Sequence, residues 1–540
     1  MKKILSSVIL TFNFLIISFC SFAQDPTIGL KFYNELVSDG YLLFTPEKNN
    51  NVYLVDPCGQ KIHQWIFTEK PGATCYLLEN GNLLRAGKEN IEVRDWNNNI
   101  VWSFEIGALG YNQHHDIEPL PNGNILCLVN DTYTSAEMIA IGKDPTTIGA
   151  TLKLDKVIEL QPVGLNDAAV VWEWKFFDHF IQNYDNTKPN YGVIADHPEL
   201  IDLNYVDADV PNQPTDYTHV NGIDYNAALD QIILSTRHLN EVHIIDHSTT
   251  TTEASDHIGG TSNLGGDILW RWGNPRVYGQ GGASDQKLFL QHDAKWVETG
   301  YLDEGKISVF NNGISGRTNS SIHLISIEII DGIYTKENDF FKPIDYDWSW
   351  SGSILGDAMS EGKKSGTHAL PNGNMILCET SKGQASEISK SGDVLWVYKN
   401  PTSIDGNVSA QFETNSSNSL FRAEKYPIEY AGFVGKDLTP LGIIENINQV
   451  SMNCVNALSI EANNFDNLTI INPVRKNRII FNQDLNLNLT MLSIFDLNGR
   501  MVYTKQQFTG NTLSINLAPS LYFIVLQNDS HIELRKIIVE

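Results

Sequence analysis

The chain has 540 residues, 42% hydrophobic and 19% charged, with 40 glycines and a net charge of −26. That composition belongs to a folded, turn-rich protein, and the length exceeds one ordinary core unless the architecture repeats. The negative charge argues against nucleic acid or an anionic membrane as a partner, so any bound anion needs cations gathered locally against the field.

The N-terminus has the layout of a secretory signal. Lys2 and Lys3 precede a mostly apolar run over residues 4–19, and Ser21-Phe22-Ala23 offers small residues at the −3 and −1 positions of a cleavage site before Gln24. Residues 1–23 are therefore expected to be removed. Cys20 lacks the small residues expected ahead of a lipidated cysteine, and no other segment is apolar for long enough to form a spanning helix. The remaining cysteines, Cys58, Cys75, Cys127, Cys378 and Cys454, form no C-x-x-C pair and no disulfide framework. Buried free thiols are expected, with one Cys58–Cys75 disulfide left open.

Three Asn-Gly phrases follow, "LLENGNLLRAG", "PLPNGNILCLV" and "ALPNGNMILCE", around Gly81, Gly123 and Gly373. Asn-Gly between apolar runs predicts hairpins, with both central residues at φ > 0 in a type I′ turn. A second phrase, a polar turn and then an apolar strand ending in tryptophan, recurs at Trp102, Trp172, Trp270 and Trp396, with looser versions at Trp65 and Trp348. Short strands at this spacing predict blades of about 40 residues and four strands, with the tryptophans packed between them. The reading is an all-β chain: a six-bladed β-propeller within 24–440, its blades between residues 40 and 435, interrupted by an insertion over 182–213. Within that insertion, "DLNYVDADVPN" lacks the full calcium-loop pattern and is expected to be solvated. An Asn-rich linker spans 441–466, and short alternating strands over 467–540 predict a small C-terminal β-sandwich.

Equivalent positions on the innermost strands of a propeller meet at one channel mouth. His115, His219, His292 and His368 each sit where such a strand is expected to begin, and Arg317 lies near a fifth such point. Imidazoles with a guanidinium suit an oxyanion such as sulfate or phosphate. Zinc is the rival ligand, but the chain has no H-E-x-x-H and no H-x-H. "HHD" at His114 is a weak zinc signal, because neighbouring strand residues point to opposite faces. A phosphate-binding loop and a formylglycine segment are also missing, so no metal, cofactor or nucleotide donor is expected.

Taken together, "DYTHVNGIDYNAALDQIILSTRHLNEVHIID", "GDILWRWGNP", "LQHDAKWV", "SGTHALPNGN" and "LFRAEKYP" resemble, in order, the bacterial arylsulfate sulfotransferase family. The resemblance implies a six-bladed propeller that transfers sulfuryl groups from an aryl sulfate donor to a phenolic acceptor. It further implies His368 as the transiently sulfated nucleophile, with His219, His292 and Arg317 binding the sulfuryl group. Asn221, Arg237 and His238 have supporting places, and His115 lines the channel. "INPVRKNRIIF", "LSIFDLNGRMVYTK" and "LYFIVLQNDSHIELRKIIVE" resemble a type IX secretion sorting domain of the Bacteroidetes, implying passage across the outer membrane to the surface or medium by that machinery. Two other functions stay open: a non-catalytic propeller binding sulfated glycans or phenolics, and an aryl-sulfate hydrolase.

Overall fold

The computed structural model describes residues 26–446 apart from 88, 315–318 and 416, and in the tail residues 470, 474, 478–481, 489–497, 500–506, 511–528 and 532–539. The expected signal peptide and the position of Arg317 lie outside the described residues. The chain divides into two compact units, Met1–Cys454 and Val455–Glu540.

The first unit is a β-propeller. Six antiparallel sheets follow one another, with innermost strands Leu420–Tyr426, Pro71–Leu77, Gln113–Pro119, Val220–Asn226, His292–Trp296 and Gly366–Ala369. Each innermost strand lies against that of the next sheet, and the sixth lies against the first. Both ends of the unit build one sheet: Leu420–Tyr426 pairs with Tyr41–Pro46, Leu43 facing Glu424. Gly29–Tyr33 adds a fifth strand to the outer edge of the sixth sheet.

The tryptophans explain their own repetition. The fourth strand of each sheet, counted from the channel, carries an indole that donates to a backbone carbonyl where the next sheet's chain enters its own fourth strand. Trp65 reaches Asp95 O at 3.0 Å, Trp102 reaches Asp167 O at 2.9 Å and Trp174 reaches Gly266 O at 2.7 Å. Trp270 donates to Lys342 O at 2.8 Å, Trp348 to Lys390 O at 3.0 Å and Trp396 to Pro57 O at 2.6 Å. The last contact closes the ring on the first sheet. A ring with one N–H suits this place, since its body packs between sheets while its edge satisfies a backbone carbonyl, buried at Gly266 and Pro57.

Two local expectations are corrected. The Asn-Gly turns are not type I′: Gly81, Gly123 and Gly373 have φ of 78°, 87° and 84°, whereas Asn80, Asn122 and Asn372 are not at positive φ. The Gly123 N–H bonds Leu120 O at 2.9 Å and the Leu120 N–H bonds Asn124 O at 2.8 Å, a type I turn followed by a left-handed glycine. Secondly, the stretch 202–212 is not a solvated insertion. Leu203, Asp207 and Val210 are buried, and Asp207 Oδ2 accepts the Asn240 side-chain N–H at 2.9 Å. Cys75, Cys127 and Cys378 are free and buried. Cys58 is disulfide-bonded, so the Cys58–Cys75 pairing is not formed.

The second unit has a four-stranded sheet, in the order Met501–Gln506, Leu489–Phe495, Ser520–Asn528 and Ile532–Val539, and a two-stranded one of Arg478–Ile480 and Thr512–Ser514. Ile479 and Leu513 from the smaller sheet share a core with Leu492, Ile494, Ile524 and Leu526 from the larger. Among the described residues no helix is long and apolar enough to cross a membrane.

Trp396→Phe strips the donor from a buried carbonyl at the junction that closes the ring. Urea denaturation should show a loss of about 1–3 kcal/mol; an unchanged midpoint would mean that the Trp396–Pro57 contact is energetically idle.

Candidate functional site

The channel mouth gathers histidines from the third, fourth and fifth sheets. His115 sits on its innermost strand at φ 65°, a left-handed kink that turns its ring onto the same side as that of His114, with centroids 4.1 Å apart. The alternation argument against "HHD" fails at this kink. His115 Nε2 lies 3.2 Å from His219 Nε2, and its ring stacks on Phe421 at 5.5 Å and 4°. His219, itself at φ 49°, is held from behind by Asp216, whose Oδ2 accepts the Nδ1 proton at 2.7 Å. This leaves Nε2 to face His115. Burial alone would raise the Asp216 carboxyl, but the hydrogen bond and charge of His219, with Lys153 at 3.2 Å, bring it well below the usual range.

His238 stacks under His219 at 4.5 Å. Its Nδ1 bonds Asp216 O at 2.6 Å and its Nε2 accepts from Arg237 Nη1 at 2.8 Å, which assigns a neutral Nδ1–H tautomer. Burial, then the nearby His219 and Arg237, push its pKa down to about 3. Arg237 donates to His238 and forms no ion pair with any described residue. A half-buried guanidinium with no ion pair among the described residues is free to meet an anion.

His292 completes the group from the fifth sheet. Its Nδ1 donates to Asn312 Oδ1 at 2.6 Å, and its Nε2 accepts the Lys364 N–H at 3.0 Å. It is 2% exposed, and burial together with the positive charges of Arg237 and Arg422 holds its pKa well below the ordinary value. Asn221 is fully buried; its amide N–H donates to Gln291 O at 2.8 Å while Oδ1 has no partner.

Beneath the histidines lies an ion pair, Arg422 Nε to Asp293 at 2.9 Å, and Arg422 Nη2 also donates to Asn221 O at 3.0 Å. Asp293 Oδ2 accepts the Thr367 N–H at 2.9 Å, and a Cβ at Gly366 would sit 2.1 Å from that oxygen, so only glycine fits there. His368 belongs to a separate, lower group. Its Nδ1 is 3.4 Å from Glu424 and its Nε2 accepts the Lys425 N–H at 3.2 Å, while Lys295 bonds Glu424 at 2.6 Å. No hydrogen bond or ring contact joins His368, or His292, to His115 or His219; His292 is tied to them by the charges of His219 and Arg237, which act on it. The structure thus brings together His115, His219, Arg237, His238 and His292, with Asn221 behind them, and leaves His368 apart. Sequence reasoning passed over Asp216, Asn312, Phe421 and Arg422. Asp216 and Arg422 stand inside the quoted phrases "DYTH" and "LFRAEKYP", which were the available signal.

No curated protein matches the chain. Solved structures of similar shape include a protein of unknown function from Bacteroides caccae, at 10% identity and TM-score 0.38, spanning 72% of this chain and 98% of that one. A streptogramin B lyase shows 11% identity and TM-score 0.34, over 75% of this chain and 100% of that one. Virginiamycin B lyase from Staphylococcus aureus shows 8% identity and TM-score 0.32, over 73% and 98%. Residues 472–540 match the secretion system C-terminal sorting domain, which marks the chain for export to the cell surface or medium. Residues 31–328, more than half of the chain and the stretch that holds the whole upper histidine group, match the arylsulfotransferase (ASST) model, and the chain belongs to that family.

Proposed function

We propose that this exported protein is an aryl-sulfate sulfotransferase that passes a sulfuryl group from an aryl sulfate to a phenol by a ping-pong route, without a nucleotide donor, and that His292 carries the covalent step. The observation that supports this most is Arg237, an unpaired guanidinium beside buried neutral imidazoles in a protein of net charge −26. A sulfate ester brings the single negative charge that Arg237 lacks.

The resemblance implies His368 for the covalent role; the charge environment supports His292 instead. His368 lies against Glu424, which is paired with Lys295, whereas His292 lies in the field of Arg237, which has no ion pair among the described residues. With its Nδ1 proton given to Asn312, His292 keeps its lone pair on Nε2, where it accepts the Lys364 N–H; the sulfate ester must displace that hydrogen bond, which frees the N–H for the sulfuryl oxygens. Attack of Nε2 on sulfur forms the N–S bond as the S–O bond to the aryl group breaks. The Lys364 N–H and Arg237 offset charge on the sulfuryl oxygens. A phenol has a pKa of about 10, so the departing phenolate takes up a proton readily. The first phenolate draws that proton from water, and the His115–His219 pair, neutral and backed by Asp216, takes the proton of the acceptor phenol in the second half and passes it back to water.

Turnover of p-nitrophenyl sulfate with and without phenol, in wild type, His292→Ala and His368→Ala, tests this reading. His292→Ala should lose at least ~10³-fold in kcat, with no sulfated peptide trapped by mass spectrometry, while His368→Ala stays within about tenfold. The reverse pattern would return the covalent role to His368. Release without phenol would make the protein a hydrolase, and no release across several aryl sulfates from folded protein would make it a binding module.

The pH profile carries a second expectation. His292 must be neutral to attack, and its depressed pKa keeps kcat/KM level as pH falls through about 6.5, the ordinary imidazole value. Arg237→Gln removes part of that depression, so its acidic limb should move to higher pH. A limb that stays in place would separate Arg237 from His292.

A further inference from the structure

Beyond sulfuryl chemistry, we propose that His114, His115 and His219 form a binding site for one divalent transition-metal ion of the zinc class, with a fourth position left open. One nitrogen from each of the three residues lies within 4.8 Å of the other two. Two imidazole nitrogens on a tetrahedral zinc, each at about 2.0–2.1 Å, are about 3.3 Å apart. His115 Nε2 and His219 Nε2 are 3.2 Å apart. That separation already matches one edge of the tetrahedron, and an ion would replace the hydrogen bond between them.

The second observation is what stands behind the ligands. Asp155, buried in the third sheet, accepts the Nδ1 proton of His114 at 2.5 Å, and Asp216 accepts that of His219 at 2.7 Å. Each carboxylate fixes the tautomer that presents a bare Nε2, the arrangement that orients metal-binding histidines and raises their basicity. Asp155 is itself held by Thr218 Oγ1 at 2.7 Å and the Val220 N–H at 2.7 Å. The two carboxylates balance a doubly charged ion, although Lys153 on Asp216 and Arg422 near His115 weaken the balance.

Two other clusters fail the same test. In Asp216–His219–His238, both His238 nitrogens are committed to Asp216 O and Arg237. In His179–His257–Asp267, His179 spends its nitrogens on Asp267 and Ala254 O. Only the first cluster leaves a ligand nitrogen on every member. If the sulfotransferase reading holds, a metal there takes the His219 lone pair that handles the phenol proton, so bound zinc should inhibit transfer.

The test is calorimetric titration of untagged, chelator-stripped full-length protein with Zn(II) at pH 7. One equivalent should bind, about 100-fold or more weaker in His114→Ala, by analogy with the loss of a supporting shell. His257→Ala, in the excluded surface cluster, should bind like wild type. No tight equivalent, an unaltered affinity in His114→Ala, or loss in His257→Ala would overturn the site. Should His114→Ala not fold, X-ray absorption of the Co(II)-loaded wild type decides: three imidazoles support the site, while fewer, or a thiolate, refute it. Zinc binding without any sulfuryl transfer would sink the enzymatic reading and leave the metal site standing.

Discussion

The structure depends on one pairing, that of Leu420–Tyr426 with Tyr41–Pro46, which joins the two ends of the propeller unit in a single sheet. A ring of sheets without that seam would leave the inner edge of the first sheet unpaired and the channel open on one side. The seam does more than close the circle. The returning strand carries Phe421, Arg422 and Glu424 into the channel, so the late chain supplies the floor for histidines set by the third to fifth sheets. Closure and site assembly are therefore one event. The ring of indole-to-carbonyl bonds reinforces the seam from outside, with Trp396 reaching Pro57 across the same junction.

Strain is concentrated where those strands begin. His115, His219 and Asp293 all sit at positive φ, a conformation that non-glycine residues adopt at a cost and that persists only where the surroundings impose it. In each case the kink aims a side chain that a flat strand would send elsewhere: His115 onto His219, His219 onto Asp216, Asp293 onto Arg422. Ordinary strand geometry on the inner wall would scatter this site.

The same kinks mark the limit of what the residues could tell. The all-β propeller was legible because its signals are periodic and local: turns ending in Gly123 and Gly373, and strands ending in Trp102 and Trp270. The convergence of His219 with His292 was legible because their blades could be counted. Pointing direction was not legible. Period-2 alternation wrongly separated His114 from His115, since nothing in "HHD" announces a left-handed residue. Depth along the channel was equally hidden. His368 shares with His292 its place near the start of an inner strand, but it falls beside the Glu424–Lys295 pair while His292 falls near Arg237, and only the three-dimensional neighbours show that difference. The turn type at Asn122-Gly123 was missed for a milder reason: the loop is one residue longer than Asn-Gly, and its glycine takes the left-handed place after a type I turn, as it does at Asn80-Gly81 without a proline.

The charge count of the site bears on which ester it can accept. Arg422 is already neutralised by Asp293, and Asp155 and Asp216 are each committed to a histidine, so among the described residues of the upper group Arg237 is the arginine that makes no ion pair. A sulfate ester carries one negative charge and cancels Arg237. A phosphate ester carries about −1.5 to −2 at neutral pH, and its surplus would exceed the single charge of Arg237 in a buried place, where an unpaired charge is costly. Size and hydrogen-bond geometry barely distinguish the two esters, so charge is what remains to separate them. The overall charge of −26 acts in the same direction, disfavouring the approach of the more highly charged ester before it reaches the channel.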